Sequence, residues 1–320
     1  MFDQIALYLE ALSKVLPVIL MILTGVALRR TSFISPTTVQ ESKKLVVNVT
    51  LPALLFLAFS GVDLQGQHLI VVALVFVACV LVLLLGFLLR PVAGAGSPYF
   101  PMLLTGFEAG MMGYAIFGAI YGADNIFKFG VVDLGQVTFV FFVMVTFLER
   151  YSSGARPLRD TVAGFLRTPV ILAILAGVLF NQLGLTTLFR GWPVTDGLLE
   201  GVSLLGSLTV PLVTIAIGYE MTLRPGNLGR PAVTVGLRLA MWVTIGLLLN
   251  HFVITRLPGL EAGFQAAVLT MFILPPPFII PLFMPQAARA DRDYVLNTLT
   301  LATLATLFAV SLVSLLYPPT

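Results

Sequence analysis

The chain has 320 residues, 58% of them hydrophobic and only 10% charged, with a mean hydropathy of +1.01; a soluble domain carries about 25% charge, so a water-soluble fold is excluded. A net charge of +3 would suggest a nucleic-acid partner in a soluble protein, but here the cations read as orientation signals at span ends, and no nucleic acid is expected. The single Cys79 lies inside an apolar run, which excludes an intramolecular disulfide and a thiolate metal site.

From the amino terminus, apolar runs between charged or Gly/Pro-rich breaks predict spans near 9–28, 44–61, 69–89, 100–121, 126–148, 168–187, 199–221, 231–253, 263–284 and 294–316. Each is close to the roughly 20 residues that a helix needs to cross a bilayer. Residues 1–16 carry Asp3, Glu10 and Lys14 among apolar neighbours, unlike a cleaved leader, and are expected to remain as part of the first span. Loops after the odd-numbered spans hold thirteen cations, Arg29, Arg90, Arg156 and Arg224 among them, against Lys128, Arg190 and Arg256 in the even-numbered loops. That bias predicts odd loops in the cytoplasm and both termini outside.

An internal repeat predicts the architecture. Pro17–Val26 recurs as Pro169–Val178 with eight of ten positions identical, Asn48–Pro52 is echoed by Ser207–Pro211, and Leu104–Phe107 by Leu269–Phe272. The expected fold is therefore an all-α polytopic membrane protein, with repeats at 1–150 and 151–320 holding five spans each. Because five is odd, the second copy enters the membrane from the opposite side, as in the inverted repeats of secondary transporters.

The fourth span of each half is where regular helix is expected to fail. Residues 105–122 carry glycines at 106, 110, 113, 118 and 122, and residues 274–285 carry Pro275, Pro276, Pro277, Pro281 and Pro285. Glycine weakens helix, while proline removes a donor and clashes with the preceding turn. Interrupted backbone at membrane depth is tolerated only where it is buried in protein or lines a cavity. Two such spans at matching positions of the two halves predict a midplane binding site.

The run Lys44–Phe56 (Lys-Leu-Val-Val-Asn-Val-Thr-Leu-Pro-Ala-Leu-Leu-Phe), the Gly25 to Arg30 span end before it, and Gly113-Tyr114 in the glycine-rich fourth span resemble the auxin efflux carrier family. Glu108 to Tyr114 resembles a bacterial subgroup, although many relatives carry Asn where this chain has Glu108. The resemblance covers essentially the whole chain. It implies ten helices with helices 4 and 9 broken and crossed at the substrate site, in a bacterial inner (plasma) membrane. It also implies export or exchange of an organic anion, such as auxin or, in bacteria, a dicarboxylate like malonate, and a scaffold of helices 1, 2, 6 and 7 through which a homodimer would form. With the two interrupted spans, the expected substrate-binding set is Asn48, Thr50, Pro52, Glu108, Gly110, Gly113, Tyr114, Thr209, Pro275, Pro276 and Pro277; the polar residues inside spans make Glu108, Asp133 and Gln136 the expected ion-coupling set. A sodium-coupled symporter of the bile-acid carrier type and a ligand sensor that moves nothing are the alternatives.

The polar residues within spans have structural readings beside the functional ones. An ionised Glu108 at mid-span costs at least about 2.5–3.5 kcal/mol on insertion scales, so it either carries a proton across or stays protonated in an interhelical hydrogen bond. Asp133 and Gln136 lie one turn apart on one helix face, facing the same cavity as Glu108; the alternatives are a helix-packing hydrogen bond for Gln136 and solvation near the outer surface for Asp133. Arg238 is expected to pair with Glu220, with contact to an anionic substrate as the alternative. Asn48, Thr50, Ser207 and Thr209 precede prolines and either bind substrate or satisfy the backbone that proline frees. His68 and His251 have no metal-like partner at i+4, and the enzyme signatures His-Glu-x-x-His, phosphate loop and Gly-x-Ser-x-Gly are absent. No enzyme activity, cofactor or metal is expected; protons or sodium are the candidate coupling ions.

Overall fold

Apolar sequence in hydrocarbon leaves the backbone no partner but itself, and helix is the local solution. The computed structural model describes residues 2–62, 64–91, 96–152, 158–221, 228–260, 262–284 and 289–318, and these contain helix and no strand. The longer helices are α1 (Phe2–Arg30), α2 (Pro36–Ser60), α3 (Gly66–Leu89), α4 (Phe100–Tyr121), α5 (Ala123–Glu149), α6 (Pro169–Gln182), α7 (Pro193–Glu220), α8 (Gly229–Arg256), α9 (Ala262–Ile273) and α10 (Arg289–Leu316), and two short ones, Leu158–Leu166 and Leu185–Arg190, flank α6. The chain is an all-α polytopic membrane protein: seven of its described helices are long and apolar enough to cross a bilayer, or eight when α6 is joined to the segment Arg159–Leu166, from which it bends by 61°. Of the ten expected spans, the first falls in α1, whose early side chains lie outside the described residues. The ninth yields a helix of only 12 residues, stopped by the proline run. Arg156, Arg224 and Pro285 also lie outside the described residues.

Local chemistry sets the helix starts. Ser35 caps α2 by accepting the Thr38 N–H at 3.1 Å, with Pro36 in the first turn where its missing donor costs nothing. Pro169 and Pro193 open α6 and α7 in the same way. His68 caps α3: its Nδ1 accepts the Gln65 N–H at 3.0 Å, and its ring stacks on Phe264. Within α2, Pro52 offers no N–H to the carbonyl of Asn48, and the ladder slips by one residue into a widened turn over Val46–Thr50, with the Leu51 N–H reaching back to Val46.

Glycines let helices from opposite halves of the sequence touch backbone to backbone. Gly25 of α1 lies against Ile215 and Tyr219 of α7, and Gly218 of α7 against Ile22 of α1. Gly177, the repeat partner of Gly25, lies against Phe56 and Ser60 of α2. Thr50 of α2 and Thr209 of α7, which are also partners in the repeat, share a buried hydrogen bond of 3.0 Å. Against this frame pack α4, α5 and α10, and α3, α8 and α9 pack in turn on those helices. The deepest apolar burial lies in α4, α5 and α9, where Phe100–Leu104 and Phe264 together with Ala266–Ile273 are all buried.

Candidate functional site

Helix α4 stops at Leu104 and resumes at Ala109. Gly106 supplies the turn with φ +66°, where a Cβ would be strained and would also come within 3.0 Å of Pro277 Cγ. Helix α9 stops at Ile273, and Pro275, Pro276 and Pro277, all buried, follow in backbone that is neither helix nor strand. The two interrupted stretches lie against each other, and Glu108 joins them. Its N–H donates to the Pro275 carbonyl at 3.0 Å; its Oε1 accepts the Met111 N–H at 3.2 Å and its Oε2 the Phe278 N–H at 2.6 Å. One carboxylate thus caps the second half of α4 and also holds the backbone beyond the proline run.

The carbonyls freed at the ends of the two half-helices are taken by cationic and polar side chains. Arg238, 1% exposed, donates from Nη1 to Leu103 O (3.1 Å), from Nη2 to Gly106 O (2.5 Å) and Leu274 O (3.0 Å), and from Nε to Leu274 O (3.2 Å). Its guanidinium also lies 4.8 Å from the centre of the Phe107 ring. Trp242 Nε1 donates to Leu104 O at 2.7 Å, and Thr306 Oγ1 to Ile273 O at 2.5 Å. This corrects the expected Arg238–Glu220 pair. Glu220 instead meets Lys43 Nζ, at 2.9 and 2.8 Å, and Gln40 Nε2 at 2.8 Å. The physical reason is the residual negative charge of helix carboxyl ends: two such ends at the breaks offer the guanidinium a planar set of acceptors. Sequence reading missed this role. The available signal was a cation well inside a span, with no acid three or four residues away, in a chain with two predicted breaks.

Asp133 and Gln136 of α5 reach the same zone. Asp133, 3% exposed, accepts the Tyr114 hydroxyl at 2.8 Å and Gln136 Nε2 at 2.9 Å, while Gln136 Oε1 accepts the Phe107 N–H at 3.2 Å. Tyr114, Asp133 and Gln136 therefore form a buried chain of hydrogen bonds leading to the break in α4, and Asp133 is not solvated at a surface. Gly113 allows the close approach around it, since a Cβ there would lie 2.5 Å from Phe129 Cζ and 2.7 Å from Leu274 Cδ1. Gly110 faces open space, with nothing within 4 Å of a Cβ built on it. Thr50 and Thr209 bond each other, Pro52 is half-buried, and Asn48 is exposed, its amide donating to its own helix at Lys44 O (2.8 Å).

A cavity of about 340 Å³ adjoins the break zone, lined by Lys43 of α2; Ile217 and Glu220 of α7, with Met221 just after it; Phe278 and Pro281 beyond the proline run; and Leu296, Leu299, Thr300 and Thr303 of α10. Phe278 is common to both features: it forms part of the cavity wall, and its N–H is held by Glu108. A shallower pocket of about 260 Å³ lies on the other side of Glu220, lined by Arg29, Pro36, Val39, Gln40 and Tyr219. Among the described residues no group of three His, Cys, Asp or Glu side chains could hold a metal ion.

Fold and site together define a polytopic helical membrane protein with a polar, hydrogen-bonded discontinuity in its interior. No protein-family model matches the chain. The chain is 25% identical over 228 residues to an uncharacterized transporter of Methanothermobacter thermautotrophicus, an alignment covering 68% of this chain and 70% of that protein.

Proposed function

We propose that the protein is a secondary carrier of a small organic anion that works by alternating access around the crossing of the fourth and ninth spans. The observation that carries this reading is the pair of half-helix breaks joined through Glu108 and bordered by a cavity. Similarity to a protein named as a transporter supports it. In this reading ten helices form two inverted repeats, residues 1–150 and 151–320. The exchanged contacts of Gly25 on α7 and Gly177 on α2, and the bond between Thr50 and Thr209, support that symmetry. The scaffold is α1, α2, α6 and α7, through which two copies associate, and α3–α5 with α8–α10 form the moving unit. The protein sits in a bacterial inner membrane with both termini outside. Substrate passes the break zone containing Glu108, Gly110, Gly113, Tyr114 and Pro275–Pro277, with Thr50, Pro52 and Thr209 beneath it and Asn48 nearby. Glu108 couples transport to protons, assisted by Asp133 and Gln136. A proton is favoured over sodium because Arg238 already takes the carbonyls of Leu103, Gly106 and Leu274, oxygens of the kind a sodium ion needs.

The test is uptake and counterflow of labelled carboxylates in proteoliposomes under an imposed pH gradient, with sodium or choline as the salt. The expected result is pH-driven accumulation that does not depend on sodium. Accumulation that requires sodium would replace the proton by sodium, and absence of both uptake and exchange for every carboxylate would overturn the carrier reading.

A further inference from the structure

The cavity beside the breaks contains an ion pair that the transport reading leaves unused. Lys43 lies on the cavity wall with both Glu220 oxygens within 2.9 Å of its Nζ, the two side chains being 19% and 36% exposed. Among the described lining residues Lys43 is the cation; the remainder is an apolar surface of Ile217, Met221, Phe278, Pro281, Leu296 and Leu299, plus the hydroxyls of Thr300 and Thr303. A volume of about 340 Å³ is within the range of small-molecule sites, which bind through a mainly apolar wall and a few placed polar groups.

We infer that this cavity is a carboxylate-binding pocket in which Lys43 exchanges Glu220 for the carboxylate of the substrate. The inference rests on the carrier reading and names the residue that receives the anion in this conformation. Glu220 is a tethered carboxylate in the position a substrate carboxylate would occupy. Its release does not strand a charge: Gln40 Nε2 remains on it at 2.8 Å, and the pocket on its other side is lined by Arg29. Lys43 is suited to such an exchange because its ammonium is a compact charge on a flexible stem, and the pair is exposed enough for water and salt to weaken it. The pocket also selects. Among the described lining residues, a molecule with one carboxylate and an apolar body meets one cation and an apolar wall, whereas a second carboxylate would face Glu220 or the aliphatic surface. Bound substrate would touch Phe278, whose N–H is held by Glu108, so occupancy of the pocket is one residue away from the break zone.

The experiment measures binding of benzoate, hexanoate, malonate and benzylamine to the purified full-length protein by calorimetry, with benzoate counterflow in proteoliposomes as a separate readout. The variants are Lys43→Gln, Glu220→Gln and the double variant, in which two neutral side chains can still bond each other. Benzoate and hexanoate are expected to bind more tightly than malonate. Lys43→Gln should weaken benzoate about tenfold or more, as loss of a charged hydrogen-bond donor does, and Glu220→Gln should tighten it severalfold by removing the tethered competitor. The double variant should melt near the wild-type temperature yet bind benzoate as weakly as Lys43→Gln. If benzoate binds and exchanges but Lys43→Gln leaves its affinity within twofold, or if Glu220→Gln weakens it, the pocket assignment is overturned while the carrier reading stands. Binding of benzylamine in place of the carboxylates would make Glu220 the receiving charge and also overturn it. A wild-type protein that neither binds nor exchanges any of the three carboxylates would sink the carrier reading, and the pocket with it.

Discussion

Glu108 has two carboxylate oxygens, and each accepts a backbone N–H from a different interrupted span. A glutamine keeps one carbonyl oxygen as acceptor but presents an NH₂ where the other N–H points, and it cannot release a proton. Glu108→Gln should therefore abolish accumulation driven by a pH gradient while leaving exchange measurable, and Glu108→Ala should cost folding and transport together. Proteoliposome uptake at matched protein incorporation separates the two, and unchanged pH-driven uptake in the Gln variant would return Glu108 to a purely structural role. Arg238 makes the opposite kind of contribution, a cation among carbonyls. Arg238→Met should destabilise by about 3 kcal/mol or more, because three buried carbonyls lose their charged donor, and Arg238→Lys should recover little, since one ammonium cannot reproduce the planar fork; thermal melting in detergent reads both. The acids of the site were legible in the sequence because a carboxylate inside a span stands out from its neighbours. The partner of Arg238 was not, since backbone carbonyls carry no letter of their own and become acceptors only where the helix stops.

Helix positions and breaks were legible from proline and glycine, because both act on the chain locally. The widened turn over Val46–Thr50 follows from Pro52, and the end of α9 follows from Pro275. Less legible was what the intact helices do with their glycines, since the sequence marks close approach without naming the neighbour. Gly25 and Gly218 put α1 and α7 in backbone contact. Gly25→Val should force these helices apart at a cost of about 1–3 kcal/mol or more, seen as a lower melting temperature. Gly110→Ala, with nothing within 4 Å of the new methyl, should melt at the wild-type temperature or slightly above it. A drop for Gly110→Ala as large as that for Gly25→Val would show that the packing around α4 is tighter than described. The ion pair of Lys43 with Glu220 escaped sequence reading for a related reason: 177 residues separate the partners, and the charge pattern of either helix alone does not indicate the other.

Orientation in the membrane is a property of all the loops together, and the thirteen-to-three bias of cations predicts both termini outside. A cysteine placed at position 320, in a chain whose Cys79 is buried, should react with an impermeant maleimide in intact cells. Labelling that appears only after permeabilisation would reverse the topology. The architecture also bears on how the chain is made. Helix α9, with 12 residues, rises only about 18 Å at 1.5 Å per residue, short of the roughly 30 Å of hydrocarbon. The carbonyls at its end and just beyond, Ile273, Leu274 and Pro275, are satisfied by groups on α10, α8 and α4. Synthesised alone, that stretch would have neither the length to span the bilayer nor the partners to hide its carbonyls. Two of those partners precede it in the chain but Thr306 follows it, so the proline run is expected to settle in the membrane together with α10 and not before it.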